Sequence, residues 1–197
     1  MESNVKNFVY AIIITIIVIS LYIQYENFSN EITLVKSSYD GKSYLVRNLK
    51  DSKKAANLLA RVRNKCIKLS KYLLKKYPNE ERVKRLLLNY RPDNISESSS
   101  SSKYTSYSVN KGEKIVFCLR SRDKDEKLVD ENVMMFVALH ELGHVMSISI
   151  GHTEEFWTNF KFLLKEGIKA GVYTKQDFRK KPVKYWGTDI TDTPLND

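Results

Sequence analysis

Little in this sequence can act as a covalent staple. Its 197 residues hold two cysteines, Cys66 and Cys118, with no C-x-x-C neighbour, which excludes a disulfide framework and a thiolate metal site. Cys66 falls on the apolar stripe of a predicted helix and Cys118 inside a predicted strand, so both read as small buried hydrophobes. Compact lysine and arginine blocks with interleaved aromatics are missing too. Lys and Arg outnumber Asp and Glu by 33 to 23, yet a solvated basic surface accounts for that excess, and nucleic acid is a possible but unsupported partner. The length suits one domain with an apolar core and is short for two. Oligomeric state is left open.

The one long apolar run lies near the start. Residues 8–23 read FVYAIIITIIVISLYI, uncharged, with Tyr22 and Tyr25 suited to a membrane interface. As helix the run would span roughly 24 Å, slightly under the hydrocarbon thickness, so a cleaved signal competes with a retained anchor. The anchor is the preferred reading: only Lys6 precedes the run and no A-x-A-like site follows it. A buried core helix fits less well, because the run is apolar on every face. Orientation is open. Lys6 is offset by Glu2, and Glu26 and Glu31 precede Lys36. The basic remainder points to the cytosolic side, whereas Asn27-Phe28-Ser29 and Asn94-Ile95-Ser96 match the glycosylation sequon.

Beyond the run, residues 26–43 read as a polar connector with weak strand character near 32–35, followed by a short strand at Tyr44-Leu45-Val46. Asp51 opens an amphipathic helix whose stripe is Ala55, Leu58, Leu59, Val62, Cys66, Leu69, Leu73 and Leu74 and which should stop before Pro78. A shorter helix over 82–90 carries Val83, Leu86, Leu87 and Leu88, and Pro92 ends the pattern. Residues 96–102 are nearly all serine and are expected to be a flexible loop. Strands over 104–110 and 113–120 should form a hairpin around Asn110-Lys111-Gly112. Asp130 is a plausible N-cap for the next helix and Thr153 for a last one reaching about Gly171. From Tyr173 the tail reads as irregular, with Tyr185-Trp186 packing it back.

Chemistry is concentrated in one stretch. All three histidines lie between His140 and His152, and His140-Glu141-Leu142-Gly143-His144 sits on a predicted helix. Two imidazoles four residues apart share a face and can grip one ion, with Glu141 placed to reach a water on that ion. Zinc suits such a site because it takes imidazole nitrogen readily and acidifies its water. A structural buried pair is the alternative, but an uncompensated Glu and His would be costly inside an apolar helix. His152, at a turn suggested by Gly151 and Thr153, is the preferred third ligand; Glu154, Glu155 and Glu166 compete with it. Ser147 and Ile150 stand where the metzincin pattern needs Gly and His, so that subclass is disfavoured. The hairpin edge could pair with an extended peptide, and Tyr104, Tyr107 or Tyr185 could donate to an oxyanion.

These residues resemble a known family. Ser108-Val109-Asn110-Lys111-Gly112-Glu113-Lys114-Ile115, running into Cys118-Leu119-Arg120, looks like the hairpin of the WLM, or Wss1-like, relatives of the SprT metallopeptidases. The likeness continues from Phe136 to His144 and through Gly151-His152-Thr153-Glu154-Glu155-Phe156-Trp157, and covers about residues 45–170. It implies an α+β fold: a transmembrane helix followed by a compact SprT/WLM-like, minimal gluzincin domain of helices packed on a small antiparallel sheet or hairpin. It also implies zinc on His140, His144 and His152, Glu141 as catalytic acid and base, and a protein or peptide substrate. The spacing from His144 to His152 is longer than the family pattern, and a role on DNA-bound protein does not transfer. Membrane-anchored versions ending in Tyr-x-Gly, like Tyr185-Trp186-Gly187, resemble proteins of large DNA viruses, which implies a virion inner membrane or viral-factory membrane. The expected organisation is a stub over 1–7, an anchor over 8–25, a connector over 26–43, a peptidase domain over 44–172 and a packed tail over 173–197. The rival expectation is an inactive or structural zinc-fold membrane protein.

Overall fold

A computed structural model describes residues 2–196. Met1, Asp197 and the side chains of residues 2–5 and 27–30 lie outside the described residues, and with them the first sequon. Helix α1 (Glu2–Glu31) leads directly into strand β1 (Ile32–Lys36), which pairs antiparallel with β2 (Ser43–Arg47). The stretch read as a connector is therefore the end of a helix and a paired edge strand. Every described side chain from 6 to 26 is exposed, and the apolar span runs Lys6–Glu26.

Helices α2 (Ser52–Lys76) and α3 (Glu81–Asn89) follow. The predicted stripe of α2 is buried except for the exposed Leu74, with Leu59, Leu69 and Leu73 fully enclosed; each such enclosed side chain contributes about 1.5–3 kcal/mol by leaving water. On α3 only Val83 and Leu86 are buried, while Leu88 is exposed.

The serine-rich stretch departs from expectation. Strand β3 (Ile95–Glu97) lies inside a five-stranded mixed sheet that also holds β4 (Tyr107–Val109) and β5 (Lys114–Phe117), in the order β1-β2-β3-β5-β4, and it is parallel to both of its neighbours. Its polar residues are satisfied from outside the strand: Glu97 accepts from the Arg47 amide and from the buried Arg120 guanidinium, and Ser98 bonds Cys118. Ser96 is buried and the Asn94 amide donates to the Glu113 carbonyl, so the second sequon is engaged within the fold.

Strands β4 (Tyr107–Val109) and β5 (Lys114–Phe117) form the expected hairpin. Asn110, Lys111 and Gly112 all have positive φ. A Cβ on Gly112 would stand 2.8 Å from Val145, so glycine is what lets the turn rest on helix α4 (Glu131–Met146). Asp130 caps α4 by accepting from the amides of Asn132 and Val133. Helix α4 crosses the core against α2, α3 and α5 (Glu154–Lys169), and Thr153 caps α5. The C-terminal segment is irregular as far as Pro182 but not beyond it. It forms a second hairpin, β6 (Val183–Tyr185) and β7 (Thr188–Ile190), with Tyr185 and Trp186 buried, and ends in a 3-10 turn, Pro194–Asn196.

Candidate metal centre

Helix α4 presents His140 and His144 on one face, one turn apart, and their Nε2 atoms lie 3.3 Å from each other. His152 comes from the loop between α4 and α5, and its Nε2 lies 3.0 Å from that of His140. Among the described residues these three form the group of potential ligands whose donor atoms all lie within 4.8 Å. Glu155 and Glu166 are committed elsewhere: Glu155 accepts from the amides of Ile148 and Ser149, and Glu166 pairs with Lys76 and Lys169.

The arrangement fits zinc. Nitrogens at about 2.0–2.1 Å from a tetrahedral ion stand roughly 3.3 Å apart, close to the spacing found. Burial, then repulsion from the other two imidazoles, lowers the pKa of His140 to about 3. Burial, His152 and Lys111 lower that of His144 to about 4. Both rings are thus neutral near pH 7, the form that ligates a metal.

Aromatic packing fixes the rings. Phe156 stacks on His144 at 4.2 Å between centroids and meets His140 and His152 edge-on. Gly143 allows this approach, since a Cβ there would lie 3.1 Å from the Phe156 ring. The loop carrying His152 is braced by Lys111, which donates to the carbonyls of Ser147 and Ser149, by Glu155, and by Asn159, which donates to the Ser147 hydroxyl. These supports were not legible as such: Glu155 reads as a rival ligand and Phe156 and Phe160 as ordinary core positions.

Glu141 is 4% exposed, and burial, opposed by a hydrogen bond from the Ser108 amide of β4, raises its pKa to about 8. Two cavities adjoin the histidines. One, of about 140 Å³, is bounded by His140, Glu141, Ser106, Tyr185 and Ile190. The other, of about 430 Å³, is lined by Phe136, His140, Trp157, Phe160, Asp192, Thr193 and Pro194. Of the three tyrosines, Tyr185 lines the first cavity and bonds Ser106, whereas Tyr104 is exposed and Tyr107 packs edge-on against it. The C-terminal wall of both cavities had no signal in local sequence pattern beyond the aromatic pair 185–186.

Comparison with known proteins places these features in a family. The WLM domain model matches residues 40–194. The chain is similar to uncharacterized protein R325 of Acanthamoeba polyphaga mimivirus, 35% identical over 196 residues that cover 94% of this chain and 95% of the other. It is also similar to uncharacterized protein 042R of Invertebrate iridescent virus 3, 42% identical over 79 residues, 40% of this chain and 46% of the other. A solved structure of Wss1 from Saccharomyces cerevisiae aligns with 20% identity and a TM-score of 0.49, over 64% of this chain and 87% of that one. With the family match spanning most of the chain and the mimivirus relative matching nearly end to end, this protein belongs to the WLM family and carries a metallopeptidase-family domain.

Proposed function

We propose that this chain is a membrane-anchored zinc endopeptidase in which His140, His144 and His152 hold the metal and Glu141 serves as general base and acid. The observation that carries the reading is the convergence of three imidazoles beside one buried carboxylate. Zinc, when bound, supplies a Lewis acid for the peptide carbonyl and a water acidified to near neutrality. Glu141 would take a proton from the attacking water as the C–O bond forms and return a proton to the leaving nitrogen as the C–N bond breaks. Tyr185, which lines the cavity shared by His140 and Glu141 and bonds Ser106, would donate to the developing oxyanion.

The fully exposed apolar face of α1 supports membrane anchoring, and relatives in large DNA viruses support a virion or viral-factory membrane as the setting. Protein substrates follow from the family domain. The second reading, a zinc fold that cleaves nothing, is favoured by the near-complete burial of Glu141. Peptide cleavage by the full chain in detergent separates the two: Glu141→Gln should abolish cleavage while zinc stays bound. Undiminished cleavage by that variant would reject the mechanism, and no cleavage by the parent chain would favour the second reading.

A further inference from the structure

The larger cavity beside His140 is built for one kind of side chain. Its floor is Phe136 and Phe160, 5.1 Å apart edge to face and nearly fully buried. Trp157, 45% exposed, stands at its mouth with its ring 5.7 Å from that of His152. The far wall is Asp192, Thr193 and Pro194 of the C-terminal segment. A volume of about 430 Å³ is ample for a large side chain.

The acid in the wall does not make the cavity a basic-residue site. Asp192 is bound through one oxygen to the Arg179 guanidinium at 2.8 Å and through the other to the Thr193 amide and the Asn196 side chain. These bonds, Arg179 first, hold its pKa down to about 2, so it is a carboxylate already paired with a cation. Apart from His140 and Thr193, what remains presented to an occupant is aromatic and aliphatic surface.

We propose that this cavity is a specificity pocket that takes a large uncharged apolar side chain, aromatic or branched aliphatic, from the substrate residue flanking the cleaved bond, with the C-terminal turn as its far wall. The inference rests on the peptidase reading for its position relative to the scissile bond. It makes the segment after Tyr173 part of the substrate site and assigns the Arg179–Asp192 pair a selective role: it keeps a lysine or arginine side chain out by neutralising the one charge that would welcome it. An aspartate or glutamate side chain is excluded by desolvation in an aromatic cavity.

The test uses the full Glu141→Gln chain in lipid nanodiscs, with and without zinc. Fluorescein-labelled peptides identical except at one position, carrying Phe, Leu, Ala, Lys or Asp there, are titrated by anisotropy, and the varied position is walked along the peptide. At one position Phe and Leu should bind at least about 10-fold more tightly than Lys or Asp, in the range hydrophobic pockets achieve. Trp157→Ala, a change at a half-exposed site, should shrink the Phe advantage. Arg179→Ala should selectively improve binding of the Lys peptide by leaving Asp192 without its cation, an effect that loss of packing would not produce. A flat profile at every position, a preference for Lys in the parent chain, or an Arg179→Ala chain with an unchanged Phe-to-Lys ratio would overturn the proposal. Cleavage of the same peptides by the chain with Glu141 intact is scored separately. Selective binding without cleavage would sustain the pocket and reject the peptidase; cleavage without selectivity would do the reverse.

Discussion

Helices α1 and α4 are alike in sequence terms and opposite in fate. Neither has a continuous polar face, yet every described side chain of α1 from 6 to 26 is exposed, whereas twelve of the sixteen residues of α4 are buried. The difference lies in what surrounds them. Helix α4 carries Gly143, where α5 presses close, and a turn glycine, Gly112, rests against its Val145; α2 and α3 close the remaining sides. Helix α1 meets the domain at its junction with β1, where the Glu31 carbonyl accepts from the Asn48 amide and its carboxylate pairs with Arg47, and its described apolar surface is left uncovered. An all-apolar helix therefore says that it must be covered, and its neighbours say by what. Polar groups beyond the first turn of α4 are then costly unless used, and His140, Glu141 and His144 are those groups.

The largest effect that would break the comparison is a charge in each helix. Leu139→Asp, at a fully buried position, should cost more than about 4 kcal/mol and leave the domain unfolded, read as loss of a cooperative thermal transition. Ile16→Lys should leave that transition unchanged while weakening membrane insertion by about 3 kcal/mol, read by flotation with liposomes. If the α1 variant also unfolded the domain, the two helices would not be separable as described.

Closer to the site, Gly143→Ala places a Cβ 3.1 Å from the Phe156 ring. The gain in helix propensity offsets part of the overpacking, giving a net loss of about 1 kcal/mol in urea denaturation. Zinc retention should weaken as well, because Phe156 is the plate on which His144 rests.

The smallest effect concerns the loop that brings His152 to α4. Bonds from the Ile148 and Ser149 amides and the Ser149 hydroxyl lower the pKa of Glu155 to about 2. A depressed folded pKa means that the bracing is complete above the ordinary carboxylate value and is lost as pH falls toward 2. Hydrogen exchange at the Ile148 and Ser149 amides should accelerate over that interval, and Glu155→Gln should flatten the dependence. Unchanged exchange in the variant would remove Glu155 as a brace.

How much of this was readable beforehand follows the same contrast. Helices α2, α4 and α5, their caps at Asp130 and Thr153, and the Asn110-Lys111-Gly112 hairpin were legible, because periodicity and turn chemistry are local. Strand β3 was not. Ser96 and Glu97 look solvated until Arg120, from the segment after β5, and the Arg47 amide of β2 arrive to satisfy the glutamate. The β6–β7 hairpin was hidden for a related reason: its strands are three residues long and mostly polar, and Tyr185 and Trp186 anchor them by tertiary packing. At the site, the spacing of the histidines and Glu141 could be read directly, whereas the aromatic plate and the C-terminal wall exist only once α5 and the tail are folded against α4.

The central claim is that three rings from a helix and a loop hold one ion. Zinc content of the full chain purified in detergent, measured by mass spectrometry for the parent and for His140→Ala, His144→Ala and His152→Ala, tests it most directly. One zinc per chain is expected in the parent and loss of most of it in each variant, His152→Ala included, with the domain still folded by circular dichroism. A parent chain that holds no zinc after growth in zinc-replete medium, or a His152→Ala chain that retains it fully, would contradict the account.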